Sequence, residues 1–170
     1  MPARALLFVQ LALSLSAYAL GAAIFLLPRL DRAPLRRALL ATTWPETLRH
    51  IGLTLLAPGF AAATLDDGFR RTVALGDGVT AGLSLVAVLA LHRRWSAAVA
   101  LIWLCHGVGL ADLLRNLFLG ARLDAAPHLG AAWPIIAFGV PFMLLMHLVT
   151  LRTLLRRRGE ALDAPAAGRA

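Results

Sequence analysis

The sequence predicts an all-α integral membrane protein: a helical bundle of five transmembrane helices, N-terminus outside and C-terminus cytoplasmic. Three observations carry this. The 170-residue chain is 59% hydrophobic with a mean hydropathy of +0.74, beyond the roughly 45–50% apolar content of soluble domains. Its charged residues, 15% of the total, gather between long apolar runs. Every basic side chain is an arginine, and the arginines border those runs unequally. A net charge of +8 would suit nucleic acid in a soluble protein. Arginines that flank apolar segments are instead topology signals, so no nucleic-acid partner is expected.

A spanning helix needs about 20 mainly apolar residues. Residues 5–27 supply the first, uncharged and ending before Pro28. Residues 47–65 form the weakest candidate, with Arg49 and His50 at its start and Pro58-Gly59 interrupting it. The third, residues 73–91, carries Asp77 near its start. The fourth, residues 96–119, holds His106, Asp112, Arg115 and Asn116. The fifth, residues 129–151, contains Pro134, Pro141 and His147. No strand alternation or nucleotide-binding glycine loop occurs. Residues 1–158 thus form one membrane domain, and the Ala/Pro/Gly-rich tail, residues 159–170, is expected to be a disordered cytoplasmic extension. Arg4 and Ala17-Tyr18-Ala19 have the character of a signal peptide, but the apolar run continues to Leu27, longer than a usual h-region, which favours a retained span.

Orientation follows from the arginines. Five spans place eleven of those flanking them on one side and five on the other, and the richer side is cytoplasmic. Omitting residues 47–65 would erase the asymmetry, so charge supports the span that hydropathy leaves weakest. Between the first two spans, Leu30, Leu35, Leu39 and Leu40 alternate with arginines. That stretch reads as a topology-setting loop, with an interfacial helix on anionic lipid as the alternative.

Ionisable groups inside a span are costly and are functional candidates by default. The orientation collects Asp77, Asp112, Arg115 and Asn116 in the outer half, the last three on one helical face. They could form a polar pocket open to the outside, with Asp77 and Asp112 as cation or proton ligands. The plainer reading is interhelical glue, which the GxxxG spacing of Gly78 and Gly82 also serves. On the inner side stand Glu46, Arg49 and His50, with His147 and Arg152. His50 and His147 lie at matched depth and are candidate axial ligands of a haem. His106 lies mid-membrane, at a different depth, and is not expected to join them. Gln10, Ser14, Tyr18 and Gly21 recur at helical spacing and mark a packing seam on the first span. The single cysteine, Cys105, excludes an internal disulfide and any CxxC motif.

Two stretches carry a resemblance. Trp44-Pro45-Glu46 through Leu56-Ala57-Pro58-Gly59-Phe60, followed by Gly76-Asp77, resembles small multi-pass bacterial membrane proteins of unknown function. So does the run containing Trp133-Pro134, Phe138, Val140-Pro141, His147 and Leu151-Arg152. The resemblance covers the chain from the second span onward and implies a bacterial inner-membrane location, but no activity. No HExxH, serine elbow or phosphate-binding loop is present. The expectation is a non-enzymatic protein without cofactor, working through helix packing or partner contacts, as a homo-oligomer or beside another membrane protein. The alternatives are a small transporter or proton-coupled subunit using Asp77 and Asp112, and a b-type haem carrier using His50 and His147.

Overall fold

Five helical rods build the protein in its computed structural model, which describes residues 1–163. α1 is Ala3–Arg32, α3 is Asp67–His92, α4 is Ala98–Arg122 and α5 is Gly130–Arg156. These four are long and apolar enough to cross a membrane. α2 comprises residues 35–56: a nine-residue α-helix, Leu35–Thr43, runs on into a 3-10 helix, Trp44–Leu56. Short π-helical turns interrupt α1 at Ala22–Leu26 and α5 at Ile135–Gly139.

The placement of α2 corrects the expected second span. The rod does not run from 47 to 65. It begins at Leu35, inside the stretch read as a loop or an interfacial helix, and ends at Leu56, before Pro58-Gly59. Its first half has an apolar face, with Leu35, Ala38 and Leu39 buried, which an average over the neighbouring arginines hides. Pro45 lacks an N–H and so cannot continue the α-helical ladder, and the 3-10 pattern takes over there. Runs of 3-10 helix are seldom longer than a few residues; this one has 13. Its period of three sets Glu46, Arg49, Gly52 and Leu55 in one row, and all four are buried. In an α-helix each step along that row would swing by about 60°.

α2 lies antiparallel along the whole of α3. The Arg36 guanidinium donates to the Leu91 carbonyl, the Ser84 hydroxyl donates to the Thr43 carbonyl at 2.8 Å, and Leu53 packs on Gly78. At 1.5 Å per α residue and about 2 Å per 3-10 residue, both rods measure about 40 Å. α4 returns beside α3, and α5 closes the bundle against α1, α2 and α4. α1 docks on α5 through Trp133, whose indole donates to Gln10 at 2.6 Å, and through the edge-to-face pair of Tyr18 and Phe142. Ser14 is buried between these contacts, so the polar stripe of α1 is a seam.

The two ends are tied separately. At one, Arg152 pairs with Asp31, and Arg157 donates to the Leu30 and Ala33 carbonyls. There Arg36 also holds Asp163, while its amide donates to the Leu162 carbonyl at 2.9 Å. The remainder of the expected tail, residues 164–170, lies outside the described residues. At the opposite end Asp66 caps α3 by accepting from the Phe69 amide, and the loops before α3 and α5 exchange backbone hydrogen bonds. Gly130 adopts φ +55° in that junction, against the Phe60 carbonyl, where a side chain would be strained and crowded.

The burial pattern is inverted relative to a soluble protein. Large apolar side chains such as Leu13, Phe25, Val79, Leu85, Leu114 and Phe118 face outward, while Thr42, Glu46, Arg49, Thr80, His106 and His147 are buried. Lipid is the solvent that suits such a surface.

Candidate metal centre

Four rods deliver polar side chains to one region of the bundle interior. α2 supplies Thr43, Glu46 and Arg49, α3 supplies Asp77, α4 supplies His106 and Asp112, and α5 supplies His147. Arg49 is the hub. Its Nε and Nη2 donate to Asp77 Oδ1 at 2.8 and 2.5 Å, and Nη2 also donates to Asp112 Oδ2 at 2.7 Å. Its Nη1 donates to the Gly109 carbonyl at 2.9 Å and lies 3.4 Å from His147 Nε2. Charge-assisted bonds of this kind are the strong class, and they satisfy a guanidinium that is almost wholly enclosed.

Beyond Arg49 lies a second layer. His147 and His106 face each other nearly edge-on, with their Nδ1 atoms 2.9 Å apart. The other nitrogen of His106, Nε2, lies 3.2 Å from the Thr43 hydroxyl. Glu46 Oε2 lies 3.2 Å from His147 Nε2. That approach lacks hydrogen-bond geometry, so both carboxylate oxygens of this fully buried glutamate are without a hydrogen-bond partner among the described residues. One donor atom each from Glu46, His106 and His147 can be chosen so that all lie within 4.8 Å of one another.

Glycines make the space. A Cβ on Gly52 would fall on the Asp77 carboxylate, and one on Gly76 would fall on that of Asp112. A Cβ on Gly109 would sit 2.6 Å from His147 Cε1. Gly82, the second member of the GxxxG spacing, has open space instead.

Of the residues singled out from sequence, Asp77 and Asp112 do converge, on Arg49 rather than on Arg115. Arg115 is exposed, and Asn116 is buried farther toward the C-terminal end of α4. His147 is in the cluster, but its ring partner is His106; His50 is exposed, its Nδ1 beside the Thr47 carbonyl. The expected depth difference between His106 and His147 is corrected. α5 continues to Arg156 rather than stopping at 151, which sets His147 about 13 Å from that end, and His106 lies about 12 Å from the start of α4. The outer and inner polar groups expected from sequence are therefore largely one group at mid-depth.

A multi-pass, largely apolar helical bundle with a buried His/His/Glu cluster able to chelate a metal ion is the class that fold and site define. The chain belongs to the DUF8737 family, described as a domain of unknown function, whose model matches residues 6–155. No curated protein matches it, and neither does any solved structure.

Proposed function

We propose that this is a metal-binding membrane protein in which Glu46, His106 and His147 hold one divalent transition-metal ion inside the bundle. The observation that carries the proposal is the Glu46 carboxylate, wholly buried beside two imidazoles with no hydrogen-bond partner among the described residues. A buried carboxylate left in that condition is costly, and a cation is the partner that two imidazoles and a carboxylate suit. That donor set is typical of zinc and non-haem iron. Thr43 supports it from outside, since its hydroxyl on His106 Nε2 leaves Nδ1 of that ring for the metal. Charge supports it as well. With all carboxyls ionised, Arg49 faces Asp77, Asp112 and Glu46, an excess of two negative charges that one divalent ion cancels.

Asp77 and Asp112 then serve as the counter-charge that lets Arg49 stand beside a metal. The cluster favours a cofactor-bearing protein over one that works by packing alone, and favours a metal centre over haem. His106 and His147 touch directly, leaving no space for a macrocycle between them. The reading is of a binder or carrier, not an enzyme. It places five crossings in a bacterial inner membrane, the Arg-rich end with Arg93, Arg94, Arg152 and Arg156 in the cytoplasm. The length of α2, matched to α3, supports the fifth crossing against a hydrocarbon core of about 30 Å.

Elemental analysis of protein purified without chelators tests this. About one equivalent of zinc or iron per chain is expected, lost in His106→Ala and Glu46→Gln. Protein that remains metal-free after equilibration with zinc, iron(II) and manganese(II) would refute it. A second reading, proton coupling through Asp77 and Asp112, is favoured by one specific observation: Thr43, His106, His147, Arg49 and Asp77 form a continuous buried polar run. In vesicles, pH-gradient dissipation abolished by Asp77→Asn and Asp112→Asn would select it.

A further inference from the structure

A separate cavity of about 110 Å³ opens in the outer half of the bundle, between α1 and the pair α3 and α4. Its walls are apolar: Leu7 and Leu11 from α1, Phe69 and Val73 from α3, Leu113 and Leu117 from α4. Arg4 lines it near the start of α1 and Asp124 just past the end of α4, whereas Asp77 and Asn116 line it deeper, about 15 and 9 Å inside α3 and α4. The space is several times what one water needs, and its walls are the kind that stay dry and take up apolar molecules. α1, which forms one wall, is the least embedded rod, with 11% of its most apolar stretch buried against 33% in each of α3, α4 and α5. The cavity thus has a loosely seated side facing lipid.

Its deep end is chemically unlike its walls. The Asn116 side chain is more than nine-tenths buried and makes no hydrogen bond among the described residues, and its Oδ1 is an acceptor shut off from solvent. Asp77 gives only Oδ1 to Arg49, so Oδ2 remains as a second acceptor. An unpaired amide in an apolar enclosure costs free energy unless a ligand completes it. A hydroxyl can donate to Asn116 Oδ1 or to Asp77 Oδ2 and can accept from the amide nitrogen. An anionic head would meet the Asp77 carboxylate. A cationic head would have to compete with Arg49, whose guanidinium already engages that carboxylate through two hydrogen bonds.

We infer that this cavity binds an amphipathic molecule with a neutral hydroxyl-bearing head and a single apolar tail. The head sits at Asn116 and Asp77, and the tail leaves past α1 toward the lipid. The inference stands apart from the metal proposal, since no metal ligand lines the cavity.

Photolabelling in phosphatidylcholine vesicles tests it, using a long-chain alcohol with a diazirine in its tail and the methyl ether of the same molecule. The alcohol is expected to label cavity residues, Val73 and Leu117 among them, and excess dodecanol should compete while dodecane does not. The ether, which cannot donate, should label about tenfold less, the factor for one net hydrogen bond of about 1.4 kcal/mol. Asn116→Leu should reduce the preference of alcohol over ether, and Val73→Trp should fill the space and abolish the label. Equal labelling by alcohol and ether on the wild-type chain would overturn the inference, as would competition by dodecane as strong as by dodecanol. Label confined to outward-facing residues such as Leu75 and Phe118 would overturn it as well. The comparisons on the wild-type chain require no variant to fold.

Discussion

Replacing Arg49 by methionine removes the hub of the interior while keeping most of its volume. The substitution strips two charge-assisted bonds from Asp77 and one from Asp112, and takes the donor from the Gly109 carbonyl. Breaking a buried ion pair from one side costs about 3–5 kcal/mol, because the remaining charge stays enclosed. In a chain of this size each kcal/mol shifts Tm by about 2–4 °C, so Arg49→Met should lower it by about 6–20 °C. Cys105 provides the assay. It is the sole cysteine and is fully buried, so a thiol-reactive fluorophore reads unfolding in detergent directly. The companion Arg49→Met/Asp77→Asn/Asp112→Asn should recover most of the loss, since replacing a whole buried ionic group is often close to neutral. A loss under about 1 kcal/mol for the single variant, or no recovery in the triple one, would refute the reasoning, because Arg49 would then not be compensating two enclosed carboxylates.

Gly52→Ala and Gly76→Ala should each lower Tm and reduce bound metal, because the added methyl displaces Asp77 or Asp112; Gly82→Ala, in open space, should hold Tm or raise it, with a gain in stability of up to about 1 kcal/mol from helix propensity. The same thermal assay separates the three. Trp133→Phe deletes the donor to Gln10 and should cost about 1 kcal/mol, with a matching rise in hydrogen exchange along the first half of α1. Asp163 responds to pH. Its hydrogen bond from Arg36 holds the carboxyl below the usual carboxylate range, so the clasp is complete above that range and is lost as pH falls beneath it. Exchange at the Arg36 amide, corrected for its intrinsic pH dependence, should rise on acidification, and should already be raised at neutral pH in Asp163→Asn.

Sequence reasoning found four of the five rods closely, because each carries a long apolar run between arginines. It misplaced α2 for a physical reason. A hydropathy average scores Arg36, Arg37, Glu46 and Arg49 as obstacles, whereas the structure turns Glu46 and Arg49 inward onto partners. The convergence of Asp77 and Asp112 was legible from their shared depth, but their partner was not. Arg115 was nearer in sequence and on the same helix face, and only the register of α2 against α3 decides for Arg49. That register had a signal. Gly52, Gly76 and Gly109 each stand three residues from, or beside, an ionisable residue of the cluster, a spacing suited to polar groups that approach a neighbouring backbone. The pairing of His106 with His147 was hidden because the end of α5 was set five residues too early.

The 3-10 portion of α2 also sets rules for how this sequence can change length. In an α-helix an inserted or deleted residue rotates everything beyond it by about 100°, and a face is regained after seven or eleven residues. Along Trp44–Leu56 the repeat is three. Insertions or deletions of three would slide the rod by about 6 Å and return the row of Glu46, Arg49, Gly52 and Leu55 to the same side. Changes of one or two would aim a carboxylate or a guanidinium into hydrocarbon. Relatives that vary in length here should therefore do so in steps of three, with the polar partners on α3 and α4 moved to meet the shifted row.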